Sequence, residues 1–251
     1  MTTDRSALIW SLVAVQAARR RGRVSAVDVC AAAVLALPVS GAWVMAPDAT
    51  GAGHLMCVTD AVSEQLVELQ MTLGEGPCLD VATSGSPVLV SDLGDGNAGR
   101  RWPGFTPQAW RAGAAAIFAL PLRIGAIRAG ALGLYRDKPG PLTGPQFGDA
   151  LIVADTAVVV LLESQYPDRA AEAAGAGPAG QPPDLRQHRA EIDQATGMVS
   201  AQLGVAIGEA FVRLRAYAYA QDRRLSDVSH DIVARRLRLS PDGDPPRDGE
   251  R

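Results

Sequence analysis

The chain has 251 residues, of which 47% are hydrophobic and 20% are charged, a composition that excludes a disordered protein. Its length allows one large domain or two modest ones. The net charge of -3 does not mark the whole chain as a nucleic-acid binder. Only residues 184–239 carry a basic excess, with nine arginines against seven acids, and acidic stretches flank them. We therefore expect any nucleic-acid contact in that block.

Cysteine usage and the N-terminus indicate the compartment. The three cysteines, at positions 30, 57 and 78, are an odd and widely spaced set. Such a set predicts no disulfide framework and suits a reducing cytosol. The apolar stretch 7–18 precedes the arginines of 19–23, the reverse of a signal peptide. No uncharged run approaches the roughly 20 residues that cross a bilayer. These features predict a soluble, cytoplasmic protein with no membrane partner.

Composition divides the chain into segments. Residues 170–183 contain Ala, Gly and Pro but no large apolar side chain, which is typical of a linker. The Pro- and Asp-rich end has the same character. The predicted segments are an N-terminal helical segment (1–23), a first domain (24–165), a linker (166–183), a C-terminal module (184–239) and a disordered tail (240–251).

Within the first domain, patterns for helices and strands alternate. A helix over 26–37 is ended by Pro38, and residues 42–46 and 54–58 form a predicted hairpin. Asp60 is the predicted N-cap of the next helix. Further strands are predicted at 87–91, 114–122 and 129–135, the last two joined near Gly125, and a long helix begins at Thr143. Hairpin-paired strands with helices at both ends predict an α+β fold around an antiparallel sheet.

The C-terminal module has the pattern of three helices. The first has a stripe at three- and four-residue spacing and stops at Gly204. That stripe is Leu185, His188, Ile192, Ala195, Val199 and Gln202. The second helix carries Phe211 and Leu214, and Ser226 is the predicted N-cap of the third. Because a module of fewer than sixty residues buries little surface, we expect it to need a partner. The stripe on its first helix suits a dimer contact.

The spacing of these helical residues carries a family resemblance. Residues 189–239 resemble the ANTAR family of RNA-binding antitermination modules. The matching run is Ile192-x-x-Ala195-x-Gly197-Met198-Val199, then Glu209-Ala210-Phe211-x-x-Leu214-Arg215-x-Tyr217-Ala218, then Arg224-Leu225-x-Asp227-Val228-x-x-x-Ile232-Val233. The resemblance implies a dimer that binds paired short RNA hairpins and stabilises an antiterminator.

The first domain also carries a resemblance. Four segments carry this resemblance: Leu73-Gly74-Glu75-Gly76-Pro77-Cys78, Arg101-Trp102-Pro103, Ala119-Leu120-Pro121-Leu122 and Gly130-Ala131-Leu132-Gly133-Leu134-Tyr135. Residues 24–163 resemble a GAF sensor domain of the kind fused to ANTAR in actinobacterial regulators. This implies a GAF-like antiparallel sheet flanked by helices and an unknown small-molecule or protein signal.

Arginines and one aromatic are the candidate RNA-binding residues, because guanidinium groups hold phosphates bidentately and aromatic rings stack on unpaired bases. The candidates are Arg189, Arg213, Arg215, Tyr217, Arg223, Arg224, Arg235 and Arg236. Two alternatives stay open. Arginines near a helix C-terminus also stabilise the helix dipole, and Tyr217 could be a core-edge residue between helices. The run at 19–23 is interpreted as a solvated helix end.

Three positions depart from the ANTAR pattern. Thr196 stands where many members have Lys, which would remove a phosphate contact. Ala206 replaces a Ser or Thr N-cap before the second helix, at a cost of about 0.5–2 kcal/mol. Ser229 replaces a usual Ala and could loosen a helix contact.

Signs of catalysis and metal binding are weak. The sequence has no nucleophile elbow, no H-E-x-x-H and no phosphate-binding loop, so we expect no enzyme, no cofactor and no metal. His54 and Cys57 are expected on opposite faces of a strand. Cys78 is interpreted as a small buried hydrophobe, although a helix N-terminus can also activate a thiol. The predicted function is a signal-responsive antiterminator. The alternative is a small-molecule sensor whose C-terminal helices mediate dimerisation or protein contact.

Overall fold

The computed structural model describes residues 2–47, 53–125, 127–165 and 183–240. The helices and strands, in chain order, are α1 (Thr2–Arg20), α2 (Ala26–Ala36), β1 (Gly41–Ala46), β2 (His54–Val58), α3 (Ala61–Leu73), α4 (Pro77–Ser84), β3 (Val88–Val90), α5 (Asn97–Arg101), α6 (Phe105–Arg111), β4 (Ala116–Ile124), β5 (Ile127–Arg136), α7 (Gly144–Gln165), α8 (Pro183–Leu203), α9 (Ile207–Ala220) and α10 (Leu225–Val233). The predicted linker and tail lie outside the described residues, except for Pro183 and Ser240.

One five-stranded sheet forms the centre of the first domain. Its strand order is β2-β1-β5-β4-β3, and every neighbouring pair is antiparallel. The predicted hairpin of β1 and β2 is confirmed, and β4 and β5 form a second hairpin that turns at Gly125, where φ is 56°. The predicted α+β fold with a GAF-like antiparallel sheet is therefore confirmed.

The two sides of the sheet bury different helices, because alternate residues of a strand point to opposite sides. Val44, Phe118 and Leu132 lie on the side covered by α1, α2 and α7, here called the α7 side. Trp43 and Ile117 lie on the side covered by α3, α4 and α6, here called the α3 side.

Local signals set most helix ends. Asp60 Oδ1 accepts a hydrogen bond of 2.9 Å from Ser63 N, which confirms Asp60 as the N-cap of α3. Gly74, with φ of 68°, ends that helix, and Gly204, with φ of 67°, follows the end of α8 as predicted. The prediction for α10 is wrong: Arg224 occupies the N-cap, and Ser226 lies in the first turn.

A disulfide joins two segments whose cysteines were expected to be free. Cys30 of α2 is bonded to Cys57 of β2, 27 residues further along the chain. Sequence spacing gave no sign of the pair, because packing of α2 against β2 on the α7 side brings the two side chains together. The expectation of no disulfide is therefore wrong for this pair.

Helix α7 is long and apolar enough to cross a membrane by the criteria of length and composition. Half of the segment Gly144–Glu163 is buried inside the first domain, and a buried core helix meets the same criteria. Helices α8 and α9 meet the same criteria only when treated as one span broken by a 105° bend.

The three C-terminal helices pack on the α3 side of the first domain. Helix α8 contacts β2, and α9 and α10 contact α3. Val199 and Phe211 of the module lie in the same continuous buried cluster as Leu66 and Val67 of α3. The partner that the module was expected to need is thus the first domain of its own chain. The stripe on α8 is used there as well, since its members Ile192, Ala195 and Val199 are buried in that cluster.

Candidate nucleic-acid interface

Four of the candidate arginines lie at the two ends of α10, and one acid, Asp231, bonds to two of them. Arg223 Nη2 lies 2.5 Å from Asp231 Oδ2, and Arg236 Nη2 lies 2.7 Å from Asp231 Oδ1. Hydrogen bonds from both guanidinium groups lower the pKa of Asp231. Arg224 and Arg235 are the exposed chain neighbours of this pair. We call these four residues the arginine cluster.

The remaining candidate arginines lie apart from the cluster. Arg213 Nη2 bonds to Glu209 Oε1 at 2.7 Å, one turn earlier on α9. Arg215 is partly buried against the first domain, where its Nε donates to Thr72 O at 3.2 Å. Burial lowers the pKa of Arg215. The side chain of Arg189 on α8 lies outside the described residues.

The two tyrosines at the end of α9 differ in exposure. Tyr217 is partly buried and packs against the apolar cluster, the arrangement of a core-edge residue. Tyr219, which the sequence analysis missed, is 62% exposed and lines a cavity together with Arg223 and Arg224. The buried positions Phe211, Leu214 and Ala218 follow helical spacing, and that spacing already leaves position 219 outside the apolar stripe.

The three departures from the ANTAR pattern have distinct surroundings. Thr196 is only 2% exposed, and its Oγ1 donates to Ile192 O at 2.7 Å, so it faces the interior and not a phosphate. Whether a Lys at this position would reach a phosphate stays a prediction from the family pattern. Ala206 provides no side-chain cap to α9, as expected. Ser229 is fully buried, and its hydroxyl finds no hydrogen-bond partner among the described residues.

In the first domain, motif residues hold the short helices in place. Glu75 Oε1 accepts hydrogen bonds from Gly104 N at 2.6 Å and Phe105 N at 2.7 Å, at the start of α6. Asp80 of α4 bonds to Arg101 and to the indole nitrogen of Trp102. These motif residues therefore build the scaffold around the sheet.

An apolar cavity of about 110 Å³ opens between α4 and strands β1, β4 and β5. Met45, Cys78, Val81 and Leu122 line it, with Arg123 and Arg128 among its polar residues. Burial raises the pKa of Cys78 to about 12, so this thiol stays protonated and is not activated by its helix. The expectation of a small buried hydrophobe is confirmed. Among the described residues there is no group of three His, Cys, Asp or Glu side chains that could hold a metal.

Comparison with known proteins assigns both parts of the chain. The GAF domain family model matches residues 24–161, more than half of the sequence. The chain belongs to the GAF domain family. The ANTAR domain model matches residues 185–233, so the C-terminal module is an ANTAR domain. No curated protein sequence matches the chain.

Solved GAF domain structures match about two thirds of the chain. The GAF domain of an Acinetobacter phosphoenolpyruvate-protein phosphotransferase is 13% identical, with a TM-score of 0.49, over 66% of this chain and 95% of that one. The corresponding domain from Coxiella burnetii is 14% identical, with a TM-score of 0.49, over 67% and 98% of the two chains.

The domain pair defines the class of protein. GAF domains are sensors and ANTAR domains are RNA-binding antiterminators, and both are regulatory domains that are generally not enzymes. The chain therefore carries a sensor domain followed by an RNA-binding domain.

Proposed function

We propose that this protein is a signal-responsive transcription regulator that binds paired RNA hairpins in nascent transcripts and promotes antitermination. The observation that carries the proposal is the arginine cluster beside the exposed Tyr219, within a domain of the ANTAR family. A regulator that acts on nascent transcripts would work in the cytoplasm. We also propose that it is a GAF-ANTAR regulator of the actinobacterial type, as the sequence suggests.

The chemistry of the cluster suits a hairpin. Asp231 holds Arg223 and Arg236 by one edge of each guanidinium group and leaves their other N–H groups for phosphate oxygens. A hairpin loop exposes unstacked bases, and an exposed tyrosine ring offers a face for stacking. Tyr219 thus supplies the aromatic contact that the sequence analysis assigned to Tyr217.

The signal would bind in the cavity of the GAF domain. Small-molecule sites are concave and mostly apolar, with a few polar groups that fix orientation. The cavity between α4 and the sheet has this character, and Arg123 and Arg128 offer cationic groups to a ligand. We infer a small molecule with an apolar body as the signal.

A homodimer would place two ANTAR domains on two hairpins. Exposed apolar side chains on the outer faces of the N-terminal helix and α7 support such a contact: Leu8, Val15, Leu151 and Val159. Surfaces of this kind commonly mark interfaces. The central part of the stripe on α8 does not support the dimer, because Ile192, Ala195 and Val199 are buried within the chain.

The test is a salt series of binding assays with the full chain. The ligands are a paired-hairpin RNA, the same RNA with scrambled loops, and duplex DNA. Preference for the intact loops, weakening as salt rises, is the expected result. Equal and weak binding to all three would contradict RNA recognition and favour the alternative, a small-molecule sensor whose C-terminal helices contact another protein.

A further inference from the structure

Helix α3 of the GAF domain provides the N-terminal cap of α10, which no side chain described in the ANTAR domain provides. Among the described residues, no side chain of the ANTAR domain caps α10. Glu68 Oε1 accepts hydrogen bonds from Ser226 N at 2.9 Å and from Ser226 Oγ at 3.2 Å. A carboxylate that satisfies a free N–H in the first turn of a helix normally lies on the same helix. Here it comes from the other domain, 158 residues away in the chain.

The C-terminal end of α3 holds a second element of the ANTAR domain. Arg215 donates to the carbonyl of Thr72, one of the last carbonyls of α3, which have no partner inside that helix. Gly74 lies directly under the guanidinium group, and a Cβ at this position would overlap it. Arg215, a candidate RNA contact, is thus committed to the GAF domain.

Apolar packing continues the contact between these polar ends. Leu69 and Leu73 of α3 pack against the cluster that contains Phe211 and Leu214. Next to it, a cavity of about 160 Å³ is lined by Glu68, Thr72 and Gln108 on the GAF side. Its ANTAR side includes Tyr219, Arg223 and Arg224, which are the residues proposed to meet RNA.

We propose that the outer face of α3 is a docking surface for the ANTAR domain that competes with RNA, so that the docked form described here is the form with low RNA affinity. This inference rests on the proposed function. A phosphate at Arg224 would lie beside the carboxylate of Glu68, and Arg215 cannot reach RNA while it holds Thr72. RNA binding therefore requires the ANTAR domain to leave α3, and a signal in the GAF domain acts by shifting that equilibrium.

The competition predicts how RNA affinity responds to opening. The apparent dissociation constant is the intrinsic one divided by the open fraction, so a protein that is 90–99% docked gains roughly 10- to 100-fold in affinity when the contact is broken. Glu68→Lys breaks it, because it places an ammonium group beside Arg224 and removes the acceptor for Ser226. Asp137→Lys, at the exposed position after β5, makes the same change in net charge away from both this contact and the outer face of α7, and is the matched control.

The experiment measures hairpin RNA affinity and amide hydrogen exchange of residues 61–73 in full-length wild type and both variants. We expect Glu68→Lys to bind RNA at least fivefold more tightly than Asp137→Lys, with faster exchange in α3. RNA added to the wild type should also speed exchange in α3, a result that depends on no substitution.

The outcomes separate this inference from the proposed function. Hairpin-specific binding by the wild type, with α3 equally protected before and after RNA is added, would overturn the competition and leave the RNA-binding proposal intact. Absence of specific binding in every variant, including an opened Glu68→Lys protein, would overturn the proposed function and the competition together.

Discussion

Arg223 and Arg224 are neighbours in sequence but differ in their surroundings. Arg223 is fixed by Asp231, whereas Arg224 is exposed at the N-cap of α10, near the carboxylate of Glu68. The guanidinium group of Arg223 is therefore oriented before RNA binds, whereas the exposed side chain of Arg224 can move to meet a phosphate.

Arg224→Ala should weaken RNA binding by roughly fivefold near 0.1 M salt and reduce the slope of log affinity against log salt by about 1. Arg215→Ala should cost less, because it removes an RNA contact and loosens the docked form at the same time. Salt-series binding assays measure both effects, with Arg19→Ala on α1 as a control for net charge. A variant Arg224→Ala with the wild-type slope would remove this residue from the interface.

The two tyrosines give a matched pair of substitutions. Tyr219→Leu should weaken binding to the hairpin more than binding to an RNA duplex, at an unchanged melting temperature, because an exposed ring is lost. Tyr217→Leu should mainly lower the melting temperature, because this ring packs on the core. Hairpin and duplex titrations with thermal melts distinguish the two. The reverse pattern would return the stacking role to Tyr217.

Ser229→Ala should stabilise the protein by about 1 kcal/mol. The buried hydroxyl of Ser229 finds no partner among the described residues, and an unsatisfied buried polar group costs about 1–3 kcal/mol. For a chain of this size, the change raises the melting temperature by roughly 2–4 °C. Calorimetry of the variant provides the measurement. A lower melting temperature would mean that the hydroxyl is bonded in solution.

At the level of helices and strands, sequence pattern predicted local structure well and contacts across the chain poorly. The Asp60 cap, the stop at Gly204 and both hairpins follow from short-range chemistry. The pairing of Cys30 with Cys57 and the cap of α10 by Glu68 depend on segments that approach only after folding.

The candidate site shows the same limit. Composition identified the arginines, but their division between an exposed cluster and a docked contact depends on how α9 and α10 lie against α3. The exposure of Tyr219 could have been predicted from helical spacing alone. The burial of Thr196 could not, because it depends on how α8 packs against the rest of the chain.

The contact of α3 with α10 should respond to pH. Burial is the main cause that raises the pKa of Glu68, and Ser226 and Arg224 oppose it in part. The other charged groups nearby are Arg223, Asp222 and Asp227. The docked form therefore binds a proton on Glu68 more tightly than the open form. Docking is strongest below the ordinary carboxyl pKa of the open form, weakens as pH rises through the raised pKa of the docked form, and is constant above it.

Glu68→Gln provides the measurement for this pH effect, since the amide keeps an accepting oxygen but cannot ionise. At neutral pH the wild type should bind RNA more tightly than Glu68→Gln, and the two affinities should converge at acidic pH. A constant ratio of the two affinities across the pH series would show that Glu68 does not titrate with docking.

For the whole molecule, the outer face of α7 is the region where a second copy is expected. A charge at the centre of an apolar interface is costly because it must be desolvated. Val159→Glu should therefore shift the protein from dimer to monomer in sedimentation, while Asp155→Glu on the same exposed face should leave it dimeric. Both variants should keep the wild-type circular dichroism spectrum. A monomeric wild type would exclude this interface.

The cap that α3 provides to α10 has a consequence for the modularity of the chain. A chimera that joins this ANTAR domain to an unrelated sensor would leave the first turn of α10 without its acceptor and Arg215 without its carbonyl. Such a fusion should be permanently active rather than responsive, unless the new sensor offers an acid and a helix end in the same places. The two domains are therefore expected to change together over evolution, with Glu68 and Ser226 as a pair inherited as a unit.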